Sequence, residues 1–265
     1  MNINAILTLK KLNKHQLKEF LDEKAVLYEQ PKFIDTDPVQ IPHLFTKKKD
    51  IEISGFLTAT ISWGNRKSIL NNAHKLMELL GNSPYDFVMH HTQEDLNNLD
   101  GFVHRTFNSL DLTYFITALK AIYTAYGDME GFFKQYQKET NFKNAIHDFK
   151  TEFFSLPHML RTEKHVSDPH KNSAAKRINM FLRWMIRDAK AGVDLGIWNT
   201  LSPAQLSCPL DVHSGNVARS LGILKRKQND GKALDELDAK LRILDPLDPV
   251  KYDYALFGLG VFEKF

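Results

Sequence analysis

Apolar residues recur at helical spacing along almost the whole of this 265-residue chain, and strand-like alternation is nearly absent. Leu17, Phe20, Leu21 and Leu27 mark one such face, and Phe115, Ile116, Leu119, Ile122 and Tyr123 mark another. Residues three or four apart share one side of a helix, so a chain patterned this way buries its core by packing helix on helix. The spacing predicts an all-α protein with helices over 14–29, 52–63, 66–80, 83–91, 112–127, 129–136, 142–155, 173–190, 203–207, 211–222, 232–244 and 249–260. Gly81-Asn82-Ser83-Pro84, Gly127-Asp128 and Asp245-Pro246 supply stops or turns between them. Neither a linker nor an internal repeat interrupts the pattern, so residues 1–265 read as one domain.

A core of this size needs no staple. The single Cys208 can form neither an internal disulfide nor a cysteine-rich zinc site and reads as packing. With 43% hydrophobic and 25% charged residues the chain has the make-up of a soluble globular protein. No apolar run approaches the roughly 18 residues of a membrane span, and the opening MNINAILTLKKLNKHQLKEF carries no leader pattern, so a cytoplasmic location without a membrane partner is expected. A net charge of +3 and a pI near 8.7 permit a nucleic-acid partner without advertising one. The basic runs at Thr46–Asp50 and Lys225–Asp230 can meet phosphate, or can simply be solvated turns. His90, His91, His104, His147, His158, His165, His170 and His213 are scattered, with no ligand triad at helical spacing, so neither a metal nor a cofactor is expected. A Gly-x-Ser-x-Gly nucleophile elbow is also missing.

Two segments carry more. In Ala174 to Arg187, the residues Ile178, Phe181, Leu182, Met185 and Ile186 form one buried stripe, and Asn172 or Ser173 can cap the helix start. Lys176 falls roughly opposite that stripe, with Met180, Arg183 and Arg187 on its own side. In Cys208 to Leu224, Asp211 takes an N-cap position before a helix that turns Val217, Ala218 and Leu221 inward. By itself Asp211 needs no role beyond that cap, and Lys176 none beyond a surface charge.

Pro-Leu-Asp-Val-His, followed by Val-Ala-Arg-Ser-Leu-Gly at 217–222, resembles the signature of the helix-hairpin-helix DNA glycosylases, in which the Asp is catalytic. LTATISWGN at Leu57–Asn65 is similar to that family's early helix before the substrate cleft, and DPVKYDYALFGLG at Asp248–Gly260 to its closing helix. The likeness touches roughly residues 50 to 262, and its Lys-to-Asp gap is closest to that of the archaeal 8-oxoguanine glycosylases. It implies a fold of two helical lobes, roughly 50–165 and 1–49 plus 166–265, with a cleft between them. It also implies a monomer that excises a damaged base, 8-oxoguanine among the candidates, from double-stranded DNA and then cuts the strand as an AP lyase. Lys176 would be the Schiff-base nucleophile and Asp211 its partner, with Trp63, Asn65, Trp184 and His213 about the substrate and Lys171, Asn172, Ser173, Arg177 and Arg219 on phosphate. An ordinary lysine titrates near 10.4, so a nucleophilic one needs burial, nearby cations or a helix start. The family's hairpin is glycine-rich; the corresponding stretch here, Asp168 to Ala175, has no glycine. Two further readings stand beside this one: a helical DNA-binding module without catalysis, and an enzyme or scaffold unconnected with nucleic acid.

Overall fold

The computed structural model describes residues 12–265; residues 1–11, which begin the segment judged to hold no leader, lie outside the described residues. Twelve α-helices run through them. They are α1 (Lys14–Tyr28), α2 (Lys48–Ile61), α3 (Arg66–Leu79), α4 (Pro84–His90), α5 (Gln93–Asn97), α6 (Ser109–Tyr126), α7 (Met129–Phe133), α8 (Lys143–Phe153), α9 (Lys176–Ile186), α10 (Val212–Ser220), α11 (Gly231–Leu244) and α12 (Lys251–Phe262). The only strands among the described residues are β1 (Val103–His104) and β2 (Phe107–Asn108), a two-residue antiparallel pair. The fold is therefore all-α, and no described helix is long and apolar enough to cross a membrane.

Where the helices begin and end has local causes. Asn13 with Gln16 and Asn108 with Asp111 form capping boxes at the starts of α1 and α6, satisfying backbone donors that would otherwise have no partner. The helix expected over 173–190 is shorter, because Ala175 adopts a left-handed conformation (φ 44°) just before Lys176 and Arg187 turns extended after Ile186. Neither residue expected to cap α9 does so. The Ser173 hydroxyl accepts from the Ala175 amide at 3.1 Å, whereas Asn172 serves α11, its carbonyl accepting from Gly231 at 2.9 Å and its side chain from Lys232 at 3.1 Å. Three 3-10 turns between Pro31 and Leu44, and the Val103–Asn108 hairpin, lie where no element is expected from the apolar pattern.

Buried apolar side chains form two clusters. The first is built on α2, in which every residue from Asp50 to Ile61 is buried; it takes in α6, α8, the stripe of α9 and Trp198. The second joins Leu21 and Ala25 of α1 to α10, α11 and the inner face of α12. The first cluster continues past residue 165 through α9 and Trp198 to Val250 and Tyr254.

Two networks pair most of the charged groups inside, while the Trp184 Nε1 and the Tyr252 and Tyr254 hydroxyls are buried with no hydrogen-bond partner among the described residues. Fully buried Glu52 accepts from Trp198 Nε1 at 2.7 Å, the Tyr123 hydroxyl at 2.6 Å and the Met129 amide at 3.2 Å. A second network joins the clusters: Arg183 reaches Asp253 at 2.5 Å and Asp194 at 3.3 Å, while Arg187 reaches Glu29 at 2.5 Å, Asp194 at 2.6 Å and Asp248 at 2.9 Å. Both guanidinium groups lie over the ring of Tyr254, at 4.4 and 5.4 Å from its centre. Burial opposes their charge, but the surrounding carboxylates outweigh it and hold both above the ordinary arginine value.

Gly258 lets α1 approach α12, since a Cβ there would overlap the Tyr28 ring. Arg187→Ala leaves three acidic partners without their shared cation and is expected to destabilise by about 3–5 kcal/mol; Gly258→Ala, which overpacks the α1–α12 contact, is expected to cost about 1–3 kcal/mol. Both effects are read as lowered urea midpoints, and midpoints equal to wild type would show that neither contact holds the fold.

Candidate functional site

The side of α9 opposite its apolar stripe faces a cleft, not open solvent. Lys176, Met180 and Arg183 line it from α9, Trp63, Gly64 and Arg66 from the turn into α3, Asp211 and His213 from the start of α10, and Asp253, Tyr254 and Phe257 from α12. Its volume is about 630 Å³, within the roughly 300–1,000 Å³ of small-molecule sites. A second hollow of about 500 Å³ shares Trp63, Lys176, Asp211 and His213 and extends the cleft along Ser173, Ala175 and Arg177.

Lys176 and Asp211, thirty-five positions apart in sequence, meet at the junction of the two hollows, with Nζ 3.8 Å from Oδ2. Lys176 is the first residue of α9, and Asp211 is the N-cap of α10, accepting from the Ser214 amide at 2.9 Å. The inward turn of Val217, Ala218 and Leu221 is as the spacing predicts. Ser214 also donates its hydroxyl to Asp253 Oδ1 at 3.2 Å. One serine thus holds Asp211 through its backbone and Asp253 through its side chain, and Asp253 is in turn paired with Arg183 of α9. Lys176 and Asp211 are positioned by a continuous chain of contacts.

Trp63 forms the opposite wall. The Arg177 guanidinium lies 4.8 Å from its ring centre, and the His104 ring meets it edge-on at 4.9 Å. Arg177 has no carboxylate partner among the described residues; it bonds the Thr60 and Lys164 carbonyls, and burial pushes its pKa down to about 10. Gly64 (φ +103°) makes the turn after Trp63, and a side chain there would strike Arg105 at the tip of the β1–β2 hairpin. His213 stands edge-on to Phe257 at 6.1 Å, and Arg66 lies 5.3 Å from the centre of that same ring.

Other residues expected here are placed differently. Trp184 is fully buried in the first cluster and so does not form a cleft wall. Asn65 caps α3, accepting from the Ser68 amide at 3.2 Å. Arg219 is spent on the Arg226 carbonyl at 2.7 Å and on Asn229 at 2.5 Å, and Asn229 holds the Asp211 carbonyl at 2.8 Å. Arg219 therefore braces the Asp211 turn from behind. Lys171 is exposed on the turn before α9. Both basic runs are partly neutralised from within, Lys48 by Asp128 and Glu130 and Arg226 by Asp230. Cys208 is buried, and burial together with the nearby Asp253 and Asp238 carboxylates raises its thiol well above the usual value.

Two cleft carboxylates did not stand out in the sequence. Asp37 and Asp253 are both buried, and burial raises both above the usual carboxylate range against the pull of Arg66 and Arg183 respectively. Asp253 lies inside the segment likened to a closing helix, whereas Asp37 sits in a 3-10 region that apolar spacing does not reveal.

An all-helical fold whose cleft joins a helix-start lysine to an N-cap aspartate defines the class of site. The family model that matches residues 37–262 is described as "Protein of unknown function (DUF2400)", and the chain belongs to that family. No curated protein and no solved structure matches the chain.

Substitutions at Asp211 separate its two roles. Asn caps as well as Asp, so Asp211→Asn is expected to keep wild-type stability while removing the charge beside Lys176. Asp211→Ala is expected to lose about 1 kcal/mol in chemical denaturation; equal losses in both variants would mean that the charge, not the cap, carries the stabilisation.

Proposed function

We propose that this protein is a base-excision DNA glycosylase with AP lyase activity, a monomer of two helical lobes that works in the cytoplasm on double-stranded DNA. The observation that carries the reading is the 3.8 Å approach of Lys176 to Asp211 at the wall of a cleft with room for a flipped base. A base turned out of the duplex needs flat apolar surface to stack on and polar groups at its edge. Trp63 and Phe257 supply the first, and His213 with the buried carboxylates the second.

In the reaction, the unprotonated Lys176 amine attacks C1′ of the nucleotide. The C1′–N bond breaks, and the base departs with the bonding electron pair and takes up a proton. Opening of the sugar ring converts the lysine adduct to an iminium; a base then removes a proton from C2′, a C2′–C3′ double bond forms, and the C3′–O bond breaks to release the 3′ phosphate. Asp211 stabilises positive charge as it develops on the sugar and accepts the proton that the attacking amine sheds. Arg66, Arg177 and Lys264 stand along the cleft and its extension, where they would meet the backbone phosphates on either side of the flipped nucleotide. The stretch from Asp168 to Ala175 lacks the glycines with which the helix-hairpin-helix glycosylases cradle a phosphate, which leaves that work to these side chains.

The test is borohydride trapping of wild type and Lys176→Gln on duplex oligonucleotides carrying 8-oxoguanine, an abasic site, uracil or no lesion. A covalent adduct is expected with wild type on at least one lesion and none with Lys176→Gln. Duplex binding with no adduct on any substrate would remove the lyase reading and leave a monofunctional glycosylase resting on Asp211 or a helical DNA-binding module, and no binding at all would remove nucleic acid from the account.

A further inference from the structure

Behind the turn that leads into α9, three potential ligands gather from two segments far apart in the chain. His147 comes from α8, and Asp168 and His170 come from the 3-10 turn at Pro169–Lys171. One nitrogen from each ring and one carboxylate oxygen all lie within 4.8 Å of one another. His147 Nδ1 is 3.0 Å from Asp168 Oδ1, and the two imidazoles are stacked with centres 4.0 Å apart and planes 18° from parallel. Two ligands on a tetrahedral zinc, each at about 2.0–2.1 Å, are roughly 3.3 Å apart, so the His147–Asp168 edge is already near coordinating distance.

We propose that His147, Asp168 and His170 form a binding site for a divalent transition-metal ion of the zinc class. The chemistry of the set suits that class: two imidazoles and one carboxylate are borderline donors that favour zinc over calcium or magnesium, and they leave a fourth position for water. Outer contacts already orient the ligands. The His170 amide donates to Asp168 Oδ1 at 2.9 Å, and the His170 ring meets Asn144 Oδ1 at 3.1 Å. Access is open, because His170 is exposed and His147 is half-buried, while Asp168 beneath them is buried.

The ion ties α8 to the Asp168–Ala175 stretch, whose far end sets the start of α9 and with it Lys176. That stretch holds two left-handed residues, Asn172 and Ala175, and a metal staple at its near end fixes a conformation that glycines do not supply. The proposal is independent of the DNA reading, since it concerns binding alone.

Tag-free full-length protein, stripped with a chelator, is titrated with Zn²⁺ alone by calorimetry. Uptake of one ion per chain is expected, with a Tm that rises with Zn²⁺ and tetrahedral ligand-field bands when Co²⁺ replaces it. His170→Ala and His147→Gln are each expected to weaken Zn²⁺ binding about 100-fold or more, with the helical circular-dichroism spectrum unchanged. His158→Ala, which breaks the separate His158–Glu163 pair, leaves uptake as in wild type. Failure of the wild type to bind at micromolar Zn²⁺, or full uptake retained in both His147 and His170 variants, overturns the site.

Discussion

The link between α9 and α12 depends on two buried arginines. Arg183 and Arg187 share Asp194 between them and reach out to Asp253, Asp248 and Glu29, so one ion network binds α9 to α12, to the segment before α12 and to the end of α1. Taking two guanidinium groups and their carboxylates out of water is costly, and that cost is offset only when every partner is in place. Small errors in how the helices meet are therefore penalised heavily. An apolar contact tolerates sliding; this network does not. The cleft inherits that rigidity, because its floor is the same face of α9 and its roof is α12.

From the network the constraint passes to the candidate chemistry in two steps. Asp253 accepts from Arg183 on one side and from the Ser214 hydroxyl on the other, and the Ser214 amide then holds Asp211. Arg219 and Asn229 fix the same turn from its outer side. Asp211 is thus set by neutral hydrogen bonds and a helix start, and remains able to face Lys176.

Much of the helical framework was legible in the sequence, because amphipathic spacing reports which face of a segment is buried. The stripe of α9 and the inward face of α10 are where periodicity puts them. Periodicity is blind to a second, polar burial, and so Arg183 and Arg187 read as an outer face although both are buried, one beside the cleft and both in the ion network. Trp184, conversely, is a core residue because α9 is covered on nearly every side. The 3-10 turns that carry Asp37, and the hairpin that carries Arg105, are too short to hold a period at all. The Lys176–Asp211 pairing came from motif likeness and not from spacing, and the His147–Asp168–His170 group is invisible to either, since only the packing of the turn against α8 assembles it.

The turn before α9 bears on both. An alanine in the left-handed region costs roughly 1–2 kcal/mol, and Ala175 is held there while Asn172, also left-handed, is bonded to the start of α11. The Ala175 side chain is buried in the first cluster, and that packing offsets part of the cost. Helix α9 begins directly after this residue at Lys176, whose side chain reaches across the cleft to within 3.8 Å of Asp211. The ring pair at His147–His170 and the Asn172 contacts to α11 both lie just before Ala175 and anchor the turn in which the strain is held, so the conformation persists because the packing around it leaves no room to relax.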